Sequence, residues 1–380
     1  MTGLAAARKT SVIPQNSSVD NYLVIYQTMA PESQCAEFVQ AIERMAGALE
    51  AWHKIVYLNN DDMLYLQELA AREGWAAACG SLAAKIGVDR IDELYLSKSR
   101  MLGNQLLLQT YRAARKICYG DGIGLNFSRR YFGGGSAELP VKESFSKEEL
   151  LQLAVSMRQV RPEMGGDCFD QYCLLLPNLF DETMSTAVLQ PDKAVFRELF
   201  AQLAPATGDA SIARVLSRLE TAESMVFILT CNFSEFGKMS LVDEVAAYRE
   251  FVAMKCAPGS TLVIKPHPRD SYQKLSALTD ELLKDGWEVL LLGAQDSLYL
   301  PFEAIISRCL EFQQWLSKIK ILTFSTSCLS LEAIFGMPCT RGFGADIVQQ
   351  RFFSASVESR LRHERDLSEA VARIAKNLET

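Results

Sequence analysis

Histidine is scarce in this chain: three in 380 residues. Ten cysteines are present. They form neither a C-x-x-C pair nor a Cys/His cluster of zinc spacing, which excludes a zinc ribbon or a dithiol centre; buried free thiols in a reducing cytosol are expected. There is no G-x-x-x-x-G-K-[ST], so no P-loop, and no G-x-S-x-G, so no nucleophile elbow. Asp-x-Asp is absent, and with it the metal grip of many sugar-nucleotide enzymes; no metal is expected. Basic blocks are missing too, and the net charge of −7 gives nucleic acid no electrostatic hold. No apolar run approaches the roughly 20 residues that span a bilayer. The first eighteen residues lack the apolar core of a signal peptide and read as a short polar leader. The expected location is cytoplasmic.

What is present is material for large cores: 49% of the residues are hydrophobic. Short apolar runs alternate with amphipathic stretches, the pattern of parallel βαβ units. In the first half the runs are Tyr22–Tyr26, His53–Leu58, Ile91–Leu96, Lys116–Tyr119 and Tyr172–Leu176, with helices predicted between them and over Ser146–Val160. A second series begins at Ser224–Thr230 and continues through Leu262–Ile264, Trp287–Leu292 and Ile319–Phe324, with closing helices near 345–361 and 366–377. The proline-bounded stretch Pro177–Pro191 marks a crossing between two domains, residues 1–190 and 191–380.

The run Leu262-Val263-Ile264 ends in Lys265-Pro266-His267-Pro268-Arg269. Each proline has a fixed φ and pushes the preceding residue into extended geometry, so His267 is held at a strand exit among cations. Ligands of open α/β sheets bind beyond such exits. A phosphate site is one reading; a capping imidazole with two solvated cations is the other. Ile319–Phe324 runs into Ser325-Thr326-Ser327 and directly into a helix. That offers hydroxyls, free N–H groups and a helix dipole to an anion, and equally an ordinary helix cap. Glu303, at a helix start between these motifs, suits ribose hydroxyls or the helix dipole. In the first half, Gly120-Asp121-Gly122 leaves one carboxylate at a strand exit, as a base or as a turn residue. Arg129 and Arg130 follow in a glycine-rich loop, where they meet an anionic acceptor or form a solvated edge. His53, at the start of a strand, reads as structural.

In this order, Gly120-Asp121-Gly122, Lys265-Pro266-His267-Pro268 and Ser325-Thr326-Ser327 resemble the three motifs of bacterial sialyltransferases and capsule polysialyltransferases: an acidic-acidic-Gly motif, an HP motif and a Ser/Thr-rich motif. The first acidic position is Gly120 here; the residue credited as base corresponds to Asp121. The resemblance implies an α/β protein of GT-B fold, two Rossmann-like domains with parallel sheets facing across a cleft. It implies a CMP-sialic acid donor, a glycan or glycolipid acceptor, inversion at the anomeric carbon, and no cofactor or essential metal. Asp121 and His267 would be catalytic. Lys265, Pro268, Arg269, Glu303, Ser325, Thr326 and Ser327 would bind the nucleotide, and Arg129 and Arg130 the acceptor. Acceptors in this family are often lipid-linked glycans, compatible with peripheral association at the inner membrane face. Related GT-B transferases using CMP-Kdo or CDP-glycerol share parts of the pattern. A non-catalytic nucleotide-sugar-binding protein and a ligand-free α/β subunit are the other classes.

Overall fold

The computed structural model describes residues 1–10, 19–26, 35–97, 102–119, 169–179, 187–204, 210–293, 296–310 and 313–376. Asp121, Arg129, Arg130 and the helix expected over Ser146–Val160 lie outside the described residues. The chain divides into two compact units. One comprises residues 1–28 and 45–199, the other 29–44 and 200–380.

In the first unit β1 (Tyr22–Tyr26) pairs in parallel with β2 (Lys54–Leu58). A second parallel sheet has the order β3 (Glu93–Leu96), β4 (Arg115–Cys118), β5 (Gln171–Cys173) and β6 (Val188–Leu189). The β6 strand falls in the stretch expected to be irregular; two residues are too few to carry a hydrophobic period. The helix Asn60–Glu73 opens with a capping box, in which Asn59 and Asp62 each accept from the other's backbone N–H. The expected polar leader is corrected at its start: Thr2–Thr10 is a helix with Leu4, Ala5, Ala6 and Ala7 buried. Alanine is the best helix former and small enough to pack closely, and Ala7 lies against Ile117 and Cys173.

The second unit is built on one five-stranded parallel sheet. Its strands are β7 (Met225–Leu229), β8 (Thr261–Lys265), β9 (Glu288–Leu291), β10 (Ile319–Thr323) and β11 (Cys339–Arg341). Their order across the sheet is β11-β10-β7-β8-β9. Every residue of β7 and β8 is buried, as a central parallel strand covered on both faces requires. On one face Tyr248, Phe251, Phe324 and Phe343 pack as a cluster, with Phe324 stacked on Phe343 at 4.2 Å. The expected closing helices differ in their break: Ala345–Arg351 is followed by one continuous helix, Ser354–Lys376. No glycine or proline interrupts its polar middle, so nothing there stops it. The order of the sheet decides where a ligand can sit. From β7 the chain builds outward through β8 and β9, then returns to the other side of β7 with β10. The switch point therefore lies between β7 and β10, beyond their carboxyl ends.

Candidate active site

Lys265 of β8 and Thr323 of β10 are both in register with Leu229 of β7. His267 lies two residues beyond the first, Ser325 two residues beyond the second. The two motifs thus leave the same edge of one sheet, with a single strand between them. Two strand spacings put them about 10 Å apart, on either side of the β7 exit.

The β8 exit is a closed turn. Asp270 N donates to the His267 carbonyl at 2.9 Å, with Pro268 at the second position, where its φ is suited to a β-turn. His267 N donates to Asp270 Oδ2 at 2.9 Å and to Thr230 Oγ1 at 3.0 Å, and the Thr230 hydroxyl donates to Asp270 Oδ2. Arg269 N donates to His267 Nδ1 at 3.1 Å. With Nδ1 accepting, the neutral imidazole carries its proton on Nε2. Burial, then the cationic Arg269, Lys274 and Lys265, lowers its pKa to about 4. At neutral pH His267 is a hydrogen-bond donor through Nε2, not a cation.

Lys265 is buried, and its Nζ donates to the carbonyls of Leu298 at 2.9 Å and Pro266 at 3.1 Å. Burial pushes its pKa down to about 8, against the pull of Asp270 and Glu303. It ties the β8 exit to the short helix Asp296–Tyr299, ahead of the Phe302–Leu310 helix, and contributes a positive field from beneath. Pro268 and Arg269 are half-buried; the Arg269 guanidinium lies 5.2 Å from the Phe236 ring centroid, and burial lowers its pKa.

At the β10 exit the Ser325 and Ser327 hydroxyls lie 3.1 Å apart. Thr326 holds the N-cap position of the Ser327–Phe335 helix in helical geometry and makes no side-chain cap. Ser325 Oγ accepts a long hydrogen bond from Ser327 N at 3.4 Å, while Thr326 caps nothing, so the helix start keeps N–H groups for an anion. Glu303 joins this group: its Oε1 accepts from Ser330 Oγ at 2.5 Å, one turn into that helix. The Phe324 carbonyl, just ahead of the motif, accepts from buried Arg360 at 2.9 Å. His267, Lys265, Glu303 and Ser325–Ser327 thus share one sheet edge. His53 does not: it is exposed in the first unit, beside Asp20 and tilted against the Tyr22 ring.

Sequence reading missed the residues beneath the turn. Lys274 is fully buried, and its Nζ donates to Asp270 Oδ1 at 2.6 Å, Glu235 Oε2 at 2.9 Å, the Cys231 carbonyl at 2.9 Å and Glu244 Oε1 at 3.1 Å. Burial works against its charge, and Asp270 and Glu244 outweigh it, so its pKa stays above the ordinary lysine value. Burial raises Asp270 and Glu244. Lys274 and the hydrogen bonds these two carboxylates accept pull the other way without overcoming that burial. The spacing of Asp270 three residues after His267, and of Lys274 four after that, was the available signal. It reads as turn and helix chemistry until the fold closes it.

Two successive α/β units with parallel sheets, and a site at the switch point of the second, make this a GT-B protein. The chain belongs to the alpha-2,8-polysialyltransferase family, whose model matches residues 112–338, more than half of it. It is accordingly a glycosyltransferase of the sialyltransferase type, an enzyme that transfers a sugar from a nucleotide-sugar donor to a glycan acceptor. The matched segment contains Asp121, Arg129, Arg130, His267, Glu303 and Ser325–Ser327. No curated protein sequence matches the chain. Among solved structures it is similar to UDP-GlcNAc 2-epimerase from Methanocaldococcus jannaschii (TM-score 0.40, 12% identity, 93% of this chain and 92% of that one). It is also similar to UDP-GlcNAc 2-epimerase from Neisseria meningitidis bound to UDP-GlcNAc (TM-score 0.40, 11% identity, 94% and 99%). A third similar structure is the trehalose-6-phosphate synthase OtsA (TM-score 0.39, 11% identity, 94% and 96%). Among the described residues no helix is long and apolar enough to cross a membrane.

Proposed function

We propose that this glycosyltransferase moves sialic acid from CMP-sialic acid to a glycan acceptor, with inversion and without a metal. The observation that carries the reading is the in-register placement of His267 and Ser325–Ser327 on strands flanking β7, a span suited to one nucleotide phosphate and its sugar. In this mechanism Asp121 takes the proton from the acceptor hydroxyl as that oxygen attacks the anomeric carbon. The bond from that carbon to the phosphate oxygen breaks, and CMP leaves with the electron pair. His267 donates its Nε2–H to the departing phosphate. Ser325, Thr326, Ser327 and the helix start meet the developing charge with dipoles already in place. Lys265 and Arg269 add positive field, Pro268 fixes the turn, and the second oxygen of Glu303 accepts from a ribose hydroxyl. Arg129 and Arg130 hold an anionic acceptor. The acceptor is a surface glycan, lipooligosaccharide or capsule, met at the cytoplasmic face of the membrane.

The test is CMP release from CMP-sialic acid, with and without a glycan panel, beside parallel assays with CMP-Kdo and CDP-glycerol. Acceptor-dependent release from CMP-sialic acid is expected. Asp121→Asn should lower turnover by about two to four decades while CMP still binds. Preference for either of the other donors would overturn the sialic acid assignment, and near-wild-type transfer by Asp121→Asn would remove the base.

A further inference from the structure

The buried groups under the HP turn have no part in the chemistry above, yet Thr230 and Asp270 bond the His267 N–H directly and Lys274 bonds Asp270. We propose that Thr230, Asp270 and Lys274 form a clamp that positions His267, fixing its imidazole as the Nε2–H tautomer with that nitrogen left for the ligand. They are positioning residues, acting through His267 and touching no substrate. The inference rests on the reading of His267 as a phosphate-binding donor only for its functional consequence; the clamp is a matter of the chain's own geometry.

The clamp works in three layers. Uppermost is the turn, in which the Asp270 N–H closes on the His267 carbonyl and the Arg269 N–H points at His267 Nδ1. A backbone donor at Nδ1 selects the tautomer, because an N–H there would face another N–H. The middle layer fixes the turn itself. The His267 N–H is shared between Thr230 Oγ1 and Asp270 Oδ2, and the Thr230 hydroxyl closes the triangle by donating to the same carboxylate oxygen. Thr230 follows β7 directly, so this triangle binds the β8 exit to its neighbouring strand. Beneath lies Lys274, which takes the other Asp270 oxygen and bonds the Cys231 carbonyl, Glu235 and Glu244. Glu244 in turn accepts from Ser234 N at 2.7 Å, and Glu235 accepts from Ser271 N at 2.8 Å. One ammonium thus locks together the β7 exit, the HP turn and the starts of two helices, Leu241–Lys255 and Tyr272–Lys284. Lys274 and Glu244 are fully buried, Asp270 nearly so. In that dry setting each bond is costly to break, so the turn has one arrangement.

With three histidines in the chain, the experiment is tractable. Long-range proton–nitrogen NMR on the full-length protein reports the tautomer of each ring, assigned with His→Gln variants. His267 should be the Nε2–H form in the wild type and in Thr230→Ser, which keeps the hydroxyl. In Thr230→Val and Asp270→Asn it should become a mixture of tautomers, with His53 and His363 unmoved. CMP titrations on the same samples should show about tenfold weaker binding for the two disruptive variants. An unchanged His267 tautomer in folded Thr230→Val or Asp270→Asn overturns the clamp; should Asp270→Asn fail to fold, the Thr230 pair decides. A tautomer that shifts with CMP affinity unmoved upholds the clamp and removes His267 from nucleotide binding. Absence of CMP binding by the wild type strikes the functional reading alone, with the clamp judged by its tautomer.

Discussion

His267 and His363 are the two histidines that burial keeps neutral. Their pKa values are lowered to about 4 and about 3, by burial first and then by nearby cations, Arg269 foremost for one and Arg360 for the other. The sign of the consequence follows from linkage. Unfolded histidine protonates near 6.5, so between that value and the folded-state pKa the unfolded chain binds protons that the native state refuses. Stability is therefore full above pH 6.5 and is lost as pH falls toward 4. The raised acids Asp270 and Glu244 act with the opposite sign over part of that range, so the histidine contribution is read by difference. His363→Gln should flatten the fall in Tm between pH 6.5 and 4 relative to the wild type. Parallel Tm–pH curves would show that His363 is not held neutral. Most cysteines are also insulated: seven of the nine described thiols are buried, and burial pushes Cys173, Cys231 and Cys328 up to about 12.

At the scale of elements, the C-terminal helix Ser354–Lys376 supports the Ser/Thr motif through two side chains. Arg360 bonds the Phe324 carbonyl and donates from Nε to Glu364 at 2.8 Å. Glu364 accepts from Phe343 N at 2.9 Å and Gly344 N at 3.0 Å. Gly342 stands against this carboxylate at φ +69°, where a Cβ would come within 2.5 Å of Glu364. Gly342→Ala has to strain the left-handed backbone and dislodge a side chain fixed by three hydrogen bonds. A loss of roughly 2 kcal/mol is expected, read as a lower urea midpoint with unchanged m-value. A neutral result would mean that Glu364 swings aside at no cost. These elements also show how far local pattern reaches. The helices Trp75–Ile86 and Lys193–Leu203 can be read from the sequence with these same bounds, since helical spacing of apolar residues is specified locally. Cys339–Arg341 is not: three residues become a strand only because β10 lies beside them. The break between the last two helices misleads for the converse reason, because the polar stretch 362–365 looks like a loop and is a turn of a continuous helix that buries His363.

At the scale of the molecule, residues 29–44 group with the second unit although they precede most of the first. Phe38 packs edge-on against Tyr299 at 5.3 Å, next to the helix that carries Glu303. A fragment of residues 200–380 alone leaves that ring uncovered. Its Tm should lie below that of the corresponding transition in the whole chain, and a synthetic peptide of residues 29–44 should raise it in a concentration-dependent manner, as any ligand of the native state does. A fragment indifferent to the peptide would make the two units independent along the chain.

Much of this protein is determined by its sequence alone. Buried parallel strands announce themselves as apolar runs, because a strand covered on both faces has no polar side to show. His267 and Ser325–Ser327 stand out because strand exits that break into proline, hydroxyl and charge are where α/β proteins place ligands. Only the tertiary structure decided what surrounds them. Strand order put one strand between the two motifs. Burial turned His267 from a nearby cation into a neutral donor and Lys265 from a surface charge into a buried tie. A lysine on a helix, three acids and a threonine, scattered over more than forty residues, became one hub beneath the turn. Contacts of that kind depend on which segments the sheet brings together, and sequence spacing does not encode that distance.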